Sequence, residues 1–412
     1  MVRIPQRVCL RSEPAVKPEF DILILGGGLV GSSLACALEG RGYRIGLVEA
    51  SLPSVVPPGF DERKLALAAA SVNALTALGV LSSAALPSPL RRIHVSSAGD
   101  FGVVRLEASD TGRESFGGVV TARELGLALE RRLATLADLR LLRPETVTGV
   151  QAQDDLVTVR LRREQQERLV TTRLLVAADG TRSFARGELG IATEEHDYQQ
   201  TLLVCSIATD RAADGTAYER FTRQGPVALL PMGHEYGAIC AVPGSEAGAI
   251  MAMDDAGYAS YFQGRFGWRA GRVERVGRRS AYPIVRVLAQ RLVGPRTILM
   301  GNAAQTIHPI GAQGFNLGLR DALTLAELLD DADPGSADLL EAYVEARSED
   351  RWRTLAFSDG LARSTANPSL PMQVMRSFGL MALAHVPGLS SPLVAGAMGF
   401  RGRVPGLARG IH

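Results

Sequence analysis

Three glycine-rich stretches hold the residues that could do chemistry. In the first, Gly26-x-Gly28-x-x-Gly31 follows the apolar run "DILIL", and Glu49 lies 18 residues past Gly31. In such a turn the first glycine permits the bend, the second lets the backbone approach a pyrophosphate, and the third lets a helix pack on a strand. The helix N-terminus then offers unpaired N–H groups and a positive dipole end to the phosphates. Glu49 can accept hydrogen bonds from both ribose hydroxyls and would repel a 2′-phosphate, so the nucleotide held here should lack one. The second stretch, "LLVAADGTRSFAR", places Asp179-Gly180 after an apolar run. The third, "TILMGNAAQTIHPIGAQGFNLG", repeats that form with Gly301-Asn302, then His308-Pro309, Gly311, Gly314 and Gly318. Two such turns aimed at one cofactor are hard to explain as packing. The helix start after Gly314 would stabilise negative charge on the pyrimidine side of a reduced flavin. No second G-x-G-x-x-G occurs. Either NAD(H) binds alone, or a flavin is resident and a nicotinamide visits briefly.

For these residues to meet, a strand must end at each turn. Residues 20–50 read as strand, glycine turn, helix and second strand, the order that the dinucleotide fingerprint requires. "LVTVRLRR" and "RLVTTRLLVAADG" read as a hairpin feeding a buried strand, and "RTILMGNAA" as a strand running into glycine. These should share one sheet. Residues 61–80 read as helical by apolar spacing, and 91–109 alternate like strands. Residues 121–136 read as an amphipathic helix that Thr121 caps, Glu124 completing a capping box. From Tyr198 to Pro283 the pattern becomes β-rich, an insertion of roughly ninety residues, and helices follow from 316 onward.

The composition bounds the remaining choices. A chain of 412 residues should hold two or three domains. A net charge of +2, with no arginine cluster alternating with aromatics, argues against nucleic acid. Cys9, Cys36, Cys205 and Cys240 are scattered, which predicts buried free thiols, no disulfide framework and no metal site. Residues 1–19 lack the apolar core of a secretory signal and read as a loose extension, so a cytoplasmic protein is expected. Residues 377–400 carry no formal charge, but Pro387, Pro392 and His385 spoil them as a spanning helix. They should either pack as buried helices or present an arginine-flanked apolar patch to lipid, peripherally at the inner membrane.

The motif set "GGGLVG…E", "AADGTRS" and "GNAAQTIHPIGAQGFNLGLRDA" resembles that of the class A flavoprotein monooxygenases, the aromatic hydroxylases built on the p-hydroxybenzoate hydroxylase fold. "FDERKLALAAAS", "AYERFTRQGPVALLPM", "FGWRAG" and "RRSAYP" are similar to the ubiquinone-biosynthesis branch, the 2-polyprenyl-6-methoxyphenol hydroxylases above all. The resemblance runs from about Asp21 to Arg353. It implies an α/β fold: an interrupted Rossmann-like FAD-binding domain (20–90, 116–190 and 285–345), a β-rich substrate domain (91–115 and 191–284) and a C-terminal helical region (346–412). Carried over by position, Gly26, Gly28 and Gly31 would hold the FAD pyrophosphate and Glu49 the adenosine ribose. Arg63 and Arg123 would reach the cofactor, and Asp179 and Gly180 would serve both FAD and NAD(P)H. Gly301 and Asn302 would hold the ribityl chain, and His308, Pro309, Gln313, Gly314 and Asn316 would surround the isoalloxazine ring. The sequence departs from the family at two places: Asn302 stands where Asp is usual, and Ala312 in "GAQG" occupies a position usually free of a side chain.

The implied reaction uses NAD(P)H and dioxygen, through a flavin hydroperoxide, to hydroxylate the ring of a polyprenyl phenol, with a biosynthetic protein complex as partner. The catalytic residues are left unassigned, with His308 and Tyr282 as candidate polar groups near the substrate. "GPVALLPM" (225–232) should line the substrate pocket. The halogenase signature W-x-W-x-I-P is absent, Trp268 and Trp352 standing alone. An FAD-dependent isoprenoid reductase and a non-catalytic FAD-binding subunit are the rival readings.

Overall fold

The computed structural model describes residues 17–52, 63–82, 86–330, 332–366, 369–386 and 388–410. Most of the expected N-terminal extension, Cys9, Asp61, Glu62 and Pro387 lie outside the described residues. An eight-stranded sheet carries the three turns. Its parallel strands run in the order Thr297–Leu299, Gln166–Ala177, Phe20–Leu25, Ile45–Val48 and Leu139–Leu142. Strands covered on both faces need side chains that are apolar throughout. Ile22, Leu23, Ile24, Leu47, Leu175 and Ile298 are accordingly buried, and fully burying each such side chain stabilises by about 1.5–3 kcal/mol. The register pairs Leu25 with Ala177 and Val48, and Ala177 with Leu299. The chain after each strand therefore emerges beside the others at the carboxyl edge, where open α/β sheets bind ligands.

A nine-stranded sheet draws on residues 92–107, 193–289 and 305–306, nearly all antiparallel. Strand alternation gives it two faces. One, with Leu203, Cys205, Leu229 and Cys240, packs on Tyr258, Phe262 and Phe266 of the helix Asp255–Phe266. That helix and Gly244–Met251 interrupt what reads from sequence as strands and turns. The other face, with Ala217, Leu230 and Ile239, meets Ala66, Phe116 and the short helix Ser391–Ala397.

Two expectations are corrected. Residues 64–80 are not one helix: Lys64–Ala68 is a strand, and the helix spans Ala69–Ala77. "KLALA" also has period two, and five paired residues against Gly117–Thr121 outweigh the helix preference of Leu and Ala. Residues 377–400 are only partly buried: Val394 and Met398 pack in the core, whereas Phe378, Val386, Leu389 and Leu393 are exposed. Among the described residues no helix is long and apolar enough to cross a membrane. The helix Ala122–Leu133 has the expected capping box: Glu124 N–H donates to Thr121 Oγ1 (3.0 Å) and Thr121 N–H to Glu124 Oε2 (3.0 Å). Cys36, Cys205 and Cys240 are buried free thiols.

Candidate active site

At the first turn, sterics leave no alternative to glycine at two positions. A Cβ on Gly26, whose φ is +101°, would stand 2.5 Å from the Ala178 carbonyl oxygen, and one on Gly31 would stand 2.1 Å from that of Gly26. Gly28 faces open space, with nothing within 4 Å of where its Cβ would be. The helix Leu29–Ala37 starts there with no side-chain cap, so its first N–H groups are left for a ligand. Glu49 is held beside it, accepting from Gly27 N–H (2.8 Å) and Ser51 N–H (2.9 Å), one on each oxygen. Each oxygen keeps a second lone pair for a hydroxyl.

The second and third turns are bolted together. Arg186 donates to the carbonyls of Ala303 (2.8 Å) and Thr181 (2.9 Å), and the hydroxyls of Thr181 and Thr306 lie 2.8 Å apart. Ser183 caps the helix Phe184–Glu188 through Arg186 N–H. Asp179 Oδ2 accepts from Ala185 N–H (3.1 Å), while its buried Oδ1 has no donor among the described residues. Gly180 faces open space. Asn302 is exposed, and its side-chain amide meets no protein partner among the described residues.

Asp321, which sequence reasoning missed, holds the Gly301 turn. Its Oδ2 accepts from Gly301 N–H (3.1 Å) and the Gln305 amide (2.7 Å), and its Oδ1 from Arg347 (2.7 Å). Arg347 is buried and also pairs with Asp350, which pairs with Arg320. A buried charge network of this kind keeps its shape because losing one partner strands another. The signal was present in sequence as charges inside an apolar helix.

The ring segment follows. Gly311 (φ 73°) and Ala312 (φ 52°) are both left-handed, and the helix Gln313–Leu328 starts uncapped at Ala312. The alanine thus takes the glycine-like path at about 1–2 kcal/mol of strain. Gly314 faces open space, and Gln313 donates to the Gly311 carbonyl (3.2 Å). Asn316 is fully engaged with protein: it accepts from Ala68 N–H and Ser71 and donates to the carbonyls of Ala66 and Ala312. It positions the segment and has no hydrogen bond left to give. His308 is buried, its Nδ1 accepting from Ile310 N–H (3.2 Å) and its ring edge-on to Tyr198. Burial pushes its pKa down to about 4, so the ring is neutral near pH 7. Arg63 lies over the Tyr282 ring at 5.3 Å, and its carbonyl accepts from Ala122 N–H, next to Arg123.

Between this segment and the nine-stranded sheet lies a cavity of about 150 Å³, lined by Ala68, Leu202, Ala228, Ile239, Pro309 and Gln313 among others. Volume of that order accommodates one aromatic ring when the lining is apolar. Pro226, Ala228 and Leu230 from the stretch 225–232 are in the lining, together with Glu219, which sequence reasoning did not single out.

The residues present fit FAD. Gly28, Gly180 and Gly314 are open cradles, two helix N-termini are uncapped, and the orphaned Asp179 Oδ1 awaits a donor. The sequence profile of the FAD binding domain matches residues 19–358. The chain is 33% identical over 387 residues to the ubiquinone hydroxylase UbiL of Rhodospirillum rubrum, covering 92% of this chain and 89% of that one. It is 28% identical to the 3-demethoxyubiquinol 3-hydroxylase of Escherichia coli, covering 92% and 98%. The p-nitrophenol 4-monooxygenase PnpA of Pseudomonas putida, at 17% identity, shares the fold with a TM-score of 0.75 over 93% of this chain and 98% of that one. The chain belongs to the FAD-binding class A flavoprotein monooxygenases.

Proposed function

We propose that this protein is an FAD-dependent monooxygenase that hydroxylates the ring of a polyprenyl phenol in ubiquinone biosynthesis, consuming NAD(P)H and dioxygen. The observation that carries the reading is a ring-sized apolar cavity walled by the segment Pro309–Gln313, in a chain matched along nearly its whole length by ubiquinone hydroxylases. FAD, when bound, supplies the redox chemistry, taking a hydride from NAD(P)H and delivering oxygen to the ring. The protein binds, orients and excludes water. Gly26, Gly28, Gly31 and Glu49 take the pyrophosphate and ribose; Arg63 and Arg123 approach from the start of the helix Ala122–Leu133. Asp179, Gly180, Gly301 and Asn302 take the hydroxylated chain. The N–H groups at Gln313 and Gly314 meet the negative side of the ring system. His308 and Asn316 hold this backbone in place, and Tyr282 packs under Arg63.

The cavity is too small for a prenyl chain as well as a ring, since ligand sites usually span about 300–1,000 Å³. The tail must leave it. A polyprenyl tail partitions into lipid, and the exposed Val374, Met375 and Phe378 of the helix Leu370–His385, with Leu389 and Leu393 beyond, support peripheral contact with a bilayer.

The test takes purified protein through its visible spectrum with FAD, then NADH or NADPH, oxygen uptake and product mass with 2-prenylphenol. Bound flavin, reduction, oxygen uptake and a ring hydroxyl are expected. Protein that stays colourless in excess FAD would overturn the reading. Flavin that is never reduced would favour a non-catalytic subunit, and double-bond reduction without oxygen uptake an isoprenoid reductase.

A further inference from the structure

One residue of the cavity lining is out of character. Glu219 lies mid-strand in Thr216–Phe221, and alternation turns Ala217 and Glu219 to the cavity face. Its neighbours in register are Val95 on one side and Ala228 on the other, and Ala228 pairs with Ile239. A carboxylate therefore stands in a row of apolar side chains, facing the segment Pro309–Gln313 across the cavity.

No hydrogen bond or ion pair from the described residues reaches it; burial is the sole influence on its titration, pushing its pKa up to about 7. The charged and titratable neighbours are turned elsewhere. Tyr218 and Arg220 alternate to the opposite face, where the Tyr218 ring packs on Tyr236, Phe266 and His94. Arg92, on the strand beside it, is paired with Asp214. Lys64, on the strand that packs over this face, lays its stem against Gly237. Tyr282 lies under Arg63. Pro309–Gln313, Ala228 and Ala397 bring no charge.

The side chain is half-buried at the cavity wall, and with no donor among the described residues its carboxyl is left for a ligand that enters the cavity. We propose that Glu219 reads a hydroxyl of the ring substrate, accepting its hydrogen bond, and so fixes which ring carbon is presented to the segment Pro309–Gln313. The inference rests on the hydroxylase reading for the substrate's class. It makes Glu219 a specificity-determining residue, because a site built to bond a hydroxyl leaves its own polar group stranded against an analogue lacking one.

The experiment titrates FAD-loaded protein with 2-prenylphenol and with its methyl ether, following the flavin absorption, at several values between about pH 5.5 and 8.5. Wild type should prefer the phenol at least tenfold, and the preference should grow as pH rises through about 7. Glu219→Gln and Glu219→Leu should both keep FAD, and Glu219→Leu should abolish the preference. In Glu219→Gln the preference should lose its pH dependence. Retention of the full phenol preference by Glu219→Leu would overturn the proposal. If wild type binds neither compound, the hydroxylase reading has failed, and melting temperature against pH still judges Glu219. A wild-type curve that fails to fall relative to Glu219→Gln toward high pH would show that the carboxyl has a partner.

Discussion

The two faces of the nine-stranded sheet are built by the same strands and differ by one residue of alternation. On one, Leu203, Leu229 and Cys240 pack on Tyr258, Phe262 and Phe266, rings that stack 5.9 and 6.4 Å apart. On the other, Ala217, Ala228 and Ile239 leave about 150 Å³ unfilled and the Glu219 carboxyl without a donor among the described residues. The hollow face thus leaves room for a ring-shaped ligand, whereas the packed face is filled by the protein's own aromatic side chains. Stability and function are divided between alternate residues of one strand.

The contrast is broken most forcefully from the packed side. Phe262→Ala should cost about 3–5 kcal/mol in urea unfolding, because the cavity it opens is enclosed. FAD binding should persist at temperatures where the variant is folded. An effect under about 1 kcal/mol would mean that this face is not the sheet's anchor. Next comes the charge on the hollow side. Glu219 is raised from 4.5 to about 7 in the folded state, so its contribution to stability is full below the unfolded value and is lost as pH rises through about 7. Wild type should lose on the order of 2–3 kcal/mol relative to Glu219→Leu between about pH 4.5 and 8. Parallel curves for the two proteins would refute the open carboxyl. Filling the hollow is gentler on the fold. Ala228→Phe should change stability by less than about 1 kcal/mol, yet reduce hydroxylation more than tenfold with FAD still bound. Unchanged turnover would place the substrate ring elsewhere.

What sequence reveals follows the same division. Gly26 and Gly31 are legible because steric exclusion admits a single residue type. The capping box at Thr121 and Glu124 is legible because its partners are three residues apart. The strand Lys64–Ala68 was hidden because its pairing partners lie 49 to 57 residues away, at Gly117–Thr121. Asp321 and Glu219 were hidden for a related reason. One is explained by Arg347 on another helix, and the other by its place in the cavity wall with no donor among the described residues, and neither fact exists before the chain is folded. Asn316, a natural candidate for touching the cofactor, spends all its hydrogen bonds on Ala68, Ser71, Ala66 and Ala312.

The smallest expected effect lies where the hollow meets the ring segment. Ala312 holds φ 52° and ψ 37° at the start of the helix Gln313–Leu328. Ala312→Gly relieves about 1–2 kcal/mol of left-handed strain and gives back about 0.5–1 kcal/mol through a looser unfolded chain. A net gain of about 0.5–1 kcal/mol follows. The methyl group also restricts the backbone at this uncapped helix start, and strain of this kind persists at sites where geometry is held for function. The variant should therefore be more stable, keep FAD, and turn over a few-fold more slowly. Equal turnover with the stability gain would mean that the alanine is merely tolerated. A loss of stability would mean that Gly311 alone sets the path, and that the helix start on the hollow side is as firmly packed as Phe262 on the other.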